Sequence, residues 1–254
     1  MNASRLDADG IPRSRHAEIE INTSCDCLCP CCDRFVDVAP TSDMTLEQVK
    51  HFVRESLELD WEWGRIHVLG GEPTLHPEFL AILEELLRYR ERHPSLLLRV
   101  ISNGSGKLAR YRQWLQEHGI VLNVESKAGG RRLPPWFCNM WLAPQDQPGA
   151  VPGEPVEPCA IFGIEGCGLG ITKHGIFLCG AGAAIARVVG LDIGVQHLSQ
   201  VTYALMLDQA RELCHLCGHT LGIPATEGLR RSPFWEAAIA NYQAAPPRMS
   251  LYGG

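Results

Sequence analysis

Polar and apolar residues alternate with period two over residues 17–22 (AEIEIN), which predicts a strand with one face buried. Apolar residues recur at helical spacing over 45–59, with a helix start expected among 41–43. A second strand is expected at Arg65–Leu69 (RIHVL), running into Gly70-Gly71-Glu72-Pro73, and a long amphipathic helix at 76–92. A third strand at 96–101 ends in Ser102-Asn103-Gly104. Helix Leu108–Glu117, a fourth strand at 120–124 and a fifth at 137–142 complete this region. Strands alternating with helices predict an α/β fold with a parallel sheet and right-handed crossovers. Functional loops then lie at the carboxyl ends of the strands, where the cysteine-rich stretch, GGEP and SNG converge.

Around this core the texture changes. Residues 1–16 read as a polar tail, and 143–158 (APQDQPGAVPGEPVEP) as a proline-rich linker. Beyond it, 170–178 predicts a hairpin turning at His174-Gly175. A helix at 200–213 delivers Cys214 and Cys217, and a C-terminal helix carries SPFWEAAIANYQ. The expected organisation is a tail (1–16), a core (17–142), a linker (143–158) and a C-terminal unit (159–254).

With 254 residues, 45% hydrophobic and 20% charged, the chain can bury a real core without disulfides. A net charge of −6 with no basic stripe argues against a nucleic-acid partner. No apolar stretch is long enough for a membrane span, and the N-terminal residues lack the apolar centre of a secretion signal. A cytoplasmic location is expected.

In that reducing setting the 11 cysteines matter most. Five fall between Cys25 and Cys32, and only Cys25, Cys29 and Cys32 satisfy C-x3-C-x2-C. Three thiolates on one loop can hold three irons of a [4Fe–4S] cube and leave the fourth open. The alternative is a structural zinc loop, although zinc prefers four ligands and no fourth is evident nearby. Later in the chain, Cys159, Cys167, Cys179, Cys214 and Cys217 offer five thiols, with a C-x2-C at 214–217 as a metal signal. A zinc ribbon is the plainer reading of that set. Cys138 reads as a small buried hydrophobe on the fifth strand.

C-x3-C-x2-C after one strand, GGEP after the next and SNG after the third resemble the radical S-adenosylmethionine superfamily over residues 17–142. One departure is Cys31, which stands where an aromatic residue usually precedes the last cysteine. The resemblance implies a partial (β/α) barrel, a three-cysteine [4Fe–4S] cluster and S-adenosylmethionine as cofactors. It implies that Gly70 and Gly71 allow close backbone approach, and that the Glu72 carboxylate accepts from the cofactor ammonium. Ser102 and Asn103 would face its carboxylate, and Asn123 and Ser126 its ribose.

The second cysteine set, with its glycine-containing hairpin and C-x2-C, resembles the SPASM and Twitch extensions. The single four-cysteine set suits the shorter Twitch type, although three residues rather than four separate Gly175 from Cys179. It implies an auxiliary [4Fe–4S] cluster held by Cys179, Cys214, Cys217 and either Cys159 or Cys167. Size and tail resemble the short Twitch-bearing enzymes, inosamine dehydrogenases among them. The expected activity is therefore a two-electron oxidation of a small polar metabolite, with an external donor such as flavodoxin or ferredoxin. A peptide maturase forming crosslinks and a zinc-stabilised binding module are the alternatives. No catalytic residue beyond the cluster and cofactor ligands is identified, and Lys127 reads as a solvated lysine or a base.

Overall fold

The computed structural model describes residues 16–27, 29, 31–39, 42–104, 107–125, 137–150, 159, 168–225 and 229–254. The expectations for residues 1–15, Ser126, Lys127 and Cys167 lie outside this set, as does the second half of the 143–158 linker.

Six strands form one mixed sheet: β1 (His16–Glu20), β2 (Arg65–Leu69), β3 (Leu97–Ser102), β4 (Val121–Val124), β5 (Leu169–Thr172) and β6 (Gly175–Phe177). Their order is β4-β3-β2-β1-β5-β6, parallel throughout except for the antiparallel β5–β6 pair. Helices α1 (Leu46–Glu58), α2 (Phe79–Arg92) and α3 (Leu108–Glu117) connect the first four strands. Right-handed crossovers put all three on one face. That face takes the apolar members of each strand, including Ala17, Ile19, Ile66, Val68, Leu98 and Val100.

The opposite face is polar where the first three strands meet. Register aligns Glu18 with His67, and His67 with Arg99. A parallel strand buried on both faces ordinarily reads as a continuous apolar run. The buried Glu18, Glu20 and His67 break that rule.

Helix α1 begins later than its periodicity suggests. Thr45 caps it, accepting from Gln48 N–H, while the Gln48 side chain accepts from Thr45 N–H. Loss of such a cap costs about 1 kcal/mol. Thr45→Ala should therefore shift the urea unfolding midpoint downward by that equivalent with the slope unchanged. Helix α2 also starts late, because a 3-10 turn at Pro73–Leu75 follows the glycine pair.

The expected fifth strand at 137–142 does not form. Cys138 makes an isolated antiparallel bridge to Pro224, and the chain turns at Met140 and Trp141. The Asn139 side chain favours this turn by accepting from Trp141 N–H (3.0 Å), and the residue is held in place by its own bonds to the Arg230 and Ile223 carbonyls. Just beyond it, Ala143 and Pro144 are buried and a 3-10 turn spans Pro144–Asp146, so the expected linker begins packed against the core before its chain becomes exposed at 148–150.

Strand β5 pairs with β1, so the hairpin extends the central sheet, and its turn is Lys173-His174. Helix α4 (Gly180–Val189) follows, and its buried run from Gly180 to Val188 packs against β5 and β1. Helices α5 (Tyr203–Leu213) and α6 (Pro233–Ala244) pack on α4. No helix among the described residues is long and apolar enough to cross a membrane.

Candidate functional site

The polar face of the sheet and the loops at its carboxyl edge enclose a cavity of about 610 Å³. Cys25, Cys27, Cys29 and Cys32 line it together with Gly70 and Gly71. Ser102, Asn103 and Asn123 line it from the ends of β3 and β4. Three loops distant in sequence thus reach one chamber because parallel strands place their carboxyl ends together.

Glycine is required where the first two loops meet. A Cβ on Gly70 would lie 2.2 Å from Asn22 Oδ1, and one on Gly71 would lie 2.2 Å from the Ser24 carbonyl oxygen. The contact is closed by hydrogen bonds from Gly71 N–H to the Asn22 carbonyl (3.0 Å) and from Glu72 N–H to the Ser24 carbonyl (2.7 Å). Asn22 Nδ2 donates to the Glu72 carbonyl (3.0 Å).

Glu72 itself is fully buried. Its carboxylate accepts from Thr74 N–H and Oγ1, from Ser102 Oγ, and from Asn103 N–H (2.8 Å). Glu72 and Ser102 therefore lock the turn after β2 to the end of β3. Asn103 extends the connection, with Nδ2 donating to Asp26 (2.7 Å) and lying 3.6 Å from Cys25 Sγ.

In the cysteine loop, Cys25 Sγ also accepts from Cys27 N–H (3.3 Å). Burial pushes the Cys25 thiol up to about 11 and Cys32 up to about 12. Such thiols ionise readily only beside a cation, so metal binding here would release protons. Cys31 has a different environment. It is buried at a φ of 59°, and its thiol donates to Asn139 Oδ1 (3.1 Å). Asn139 in turn donates through Nδ2 to the Arg230 carbonyl and through its N–H to the Ile223 carbonyl. Phe35, at a φ of 52°, packs edge-on to Trp141 and against Trp235. Cys31 and Phe35 thereby anchor the cysteine loop to the C-terminal part of the chain.

Cys138, Cys159 and His219 line the same cavity. Burial dominates the shifts of three neighbouring thiols, pushing Cys179 and Cys214 up to about 12 and Cys217 well above the usual thiol range. A negative charge on Cys159 raises all three further, so these four thiols share one electrostatic neighbourhood. Cys179 caps α4, accepting from Gly182 N–H (3.2 Å). Cys159 belongs both to this group and to the cavity wall. Cys138 is half-buried beside it rather than enclosed on a strand.

The deep part of the cavity holds Glu18, Arg34, His67 and Arg99, none singled out by motif. Arg34 pairs with Glu18, and its Nε lies 3.8 Å from Asp33. Beside them, Arg187 pairs with Glu20. A Cβ on Gly180 would strike Arg34 Nη1, so the start of α4 leaves space for this guanidinium. Polar residues at alternating positions in otherwise apolar parallel strands were the available sequence signal.

A separate group on α1 joins His51, Glu55 and His197. Hydrogen bonds account for it: Glu55 accepts from the Leu198 N–H and the Tyr252 hydroxyl, and His197 Nδ1 lies 2.8 Å from its carboxylate.

Neither a family profile nor a curated protein matches this sequence. In structure, the chain is similar to the crystal structure of BtrN in complex with AdoMet and 2-DOIA. The match has 16% identity and a TM-score of 0.51, and covers 81% of this chain and 87% of that one. At that identity the likeness is one of fold, and the chain shares the mixed α/β architecture of BtrN.

Proposed function

We propose that this chain is a radical S-adenosylmethionine enzyme that oxidises a small polar metabolite by two electrons. One observation carries the reading: Cys25, Cys29 and Cys32 open onto the same cavity as Gly70, Gly71, Ser102 and Asn103, and Cys159 faces it from the second thiol group. The fold is shared with a protein whose crystal structure holds AdoMet.

The residues fit the cofactors this reading requires. Cys25, Cys29 and Cys32 provide three soft sulfur donors on one loop, the number a [4Fe–4S] cube with one open iron needs. Cys159, Cys179, Cys214 and Cys217 share one electrostatic neighbourhood and provide four for an auxiliary cluster; Cys167, the alternative to Cys159, lies outside the described residues. When bound, S-adenosylmethionine and the first cluster supply a carbon radical able to remove hydrogen from an unactivated C–H bond.

The protein's contribution is positioning and exclusion of water. Gly70 and Gly71 present bare backbone to the cavity, and Asn103 presents an amide beside Cys25. Asn123, at the same level on β4, is assigned to the ribose. Glu72 acts by positioning, because its carboxylate is engaged by Thr74, Ser102 and Asn103. Cofactor ammonium recognition then falls to backbone groups of the glycine pair. Cys159 lines the cavity and with Cys179, Cys214 and Cys217 would hold an auxiliary cluster, which would supply an acceptor for the second electron. A one-electron donor such as flavodoxin or ferredoxin feeds the first cluster.

The test is anaerobic reconstitution of wild type and the Cys25/Cys29/Cys32→Ala variant. Wild type should hold about eight irons per chain and the variant about four, since each cube carries four. With dithionite, wild type alone should convert S-adenosylmethionine to methionine and 5′-deoxyadenosine. Zinc in place of iron, or iron that the variant retains in full, would replace this reading with the zinc-stabilised binding module.

A further inference from the structure

We propose that Arg99 and His67 form a recognition floor for an oxyanion of the substrate, a carboxylate or a phosphate. The inference rests on the cavity being the substrate chamber of the enzyme proposed above. Register sets the two residues side by side on β2 and β3, about 4.8 Å apart in backbone. Both line the cavity.

Among the described residues, Arg99 Nε and both His67 ring nitrogens lack hydrogen-bond partners. His67 is 7% exposed, yet neither ring nitrogen has a hydrogen-bond partner; its nearest charged neighbour is Glu18, with Nδ1 3.9 Å from Oε1. Arg99 is half-buried with Nε unsatisfied, and no carboxylate among the described residues pairs with it. The other two arginines on this face are matched, Arg34 with Glu18 and Arg187 with Glu20. Partly burying a guanidinium without a counter-ion is unfavourable, and an unpaired imidazole beside it adds to the cost. Both costs are relieved by a ligand oxyanion. The planar guanidinium can donate to two of its oxygens while His67 donates to one.

Depth distinguishes the substrate from the cofactor as source of that anion. Arg99 lies three residues before Ser102, and His67 three before Gly70. Both are therefore about 10 Å down their strands from the loops assigned to the cofactor's methionine end. An elongated metabolite with its anionic end on this floor would raise its other end toward Cys25 and Asn103. The substrate class is thus narrowed to small polar acids or phosphate esters.

The test maps arginine reactivity in the reconstituted protein with phenylglyoxal and peptide mass spectrometry, using inorganic phosphate as probe. Unpaired Arg99 should react several-fold faster than Arg34 and Arg187, and phosphate should slow it at least five-fold. His67→Ala should remove most of that protection, whereas chloride at equal ionic strength should give none. Absence of phosphate protection in folded wild type overturns the proposal. So does protection by S-adenosylmethionine alone joined to a loss of cofactor affinity in Arg99→Gln, which would place the cofactor carboxylate there. Arg99→Lys provides a folded comparison and should retain cofactor affinity and iron content. Iron and cofactor binding are measured on the same samples. Their absence from wild type refutes the enzyme reading, while phosphate protection reports separately on the floor.

Discussion

Glu72→Ala should lower the stability of the metal-free protein by about 3–5 kcal/mol, read as a fall of about 8–15 °C in unfolding temperature. The carboxylate is fully buried and accepts from Thr74 N–H and Oγ1, Ser102 Oγ and Asn103 N–H. Removing it strips these donors of their acceptor, with Thr74 and Ser102 buried and Asn103 half-buried, and unsatisfied buried donors cost about 1–3 kcal/mol each. The hydroxyls of Thr74 and Ser102 can turn to other acceptors, but the two backbone N–H groups cannot, which keeps the sum below the maximum. Glu72→Gln preserves the volume but turns one acceptor into a donor facing donors, so an intermediate loss is expected. Because Glu72 ties the glycine loop to β3, both variants should also weaken S-adenosylmethionine binding. Thermal unfolding with and without cofactor measures the two effects separately. Loss of cofactor affinity at unchanged stability would instead mean that Glu72 contacts the ligand.

On the reading proposed above, Gly218→Ala should empty the auxiliary-cluster site while largely sparing the three-cysteine site. The residue follows Cys217, and an added Cβ would lie 2.0 Å from the Asn139 carbonyl oxygen and 2.9 Å from Met140 Cα. Both neighbours are backbone, so no side-chain rotation relieves the overlap. Overpacking of this kind costs about 1–3 kcal/mol and here moves the segment carrying Cys214 and Cys217 away from Asn139. Iron should fall from about eight to about four per chain, with cofactor cleavage retained and substrate oxidation lost. Iron analysis and 5′-deoxyadenosine formation without substrate provide the readout. An unchanged iron content would show that the C-x2-C segment tolerates the displacement, and would remove Gly218 from any role in the second site.

Asn139 explains why these regions are coupled. It takes the Cys31 thiol from one cysteine loop, shapes the turn at Trp141, and abuts the glycine after the second C-x2-C. Cys31 reads in sequence as a departure from an aromatic consensus. In three dimensions it is a tether, and Phe35, four residues on, carries the aromatic packing against Trp141 and Trp235.

Local patterns made much of the molecule legible. Arg65–Leu69 and Leu108–Glu117 form with the boundaries that periodicity predicts, because alternation and helical spacing are short-range signals. The three cysteines and the glycine pair were visible because each motif is contiguous. Helix α4 was not, since GAGAAIARVV is buried along nearly its whole length and carries no polar face to mark a period. The stretch 137–142 misled for the opposite reason: a short apolar run is compatible with a strand, and the hydrogen bonds that anchor the turn-forming Asn139 reach residues about 90 positions away.

By itself, then, the sequence determined the α/β order of the first four strands, the register of three thiols and the glycine pair beside them. Those features depend on neighbours within a few residues. Only the tertiary structure decided that Glu72 is held by Ser102 and Asn103, that Cys159 lines the cavity while neighbouring Cys179, Cys214 and Cys217, and that His67 and Arg99 lie together in that cavity. Each of those relations is a contact between chain segments far apart in sequence. Burial and charge compensation, which give such contacts their energy, exist only once the strands have been brought side by side.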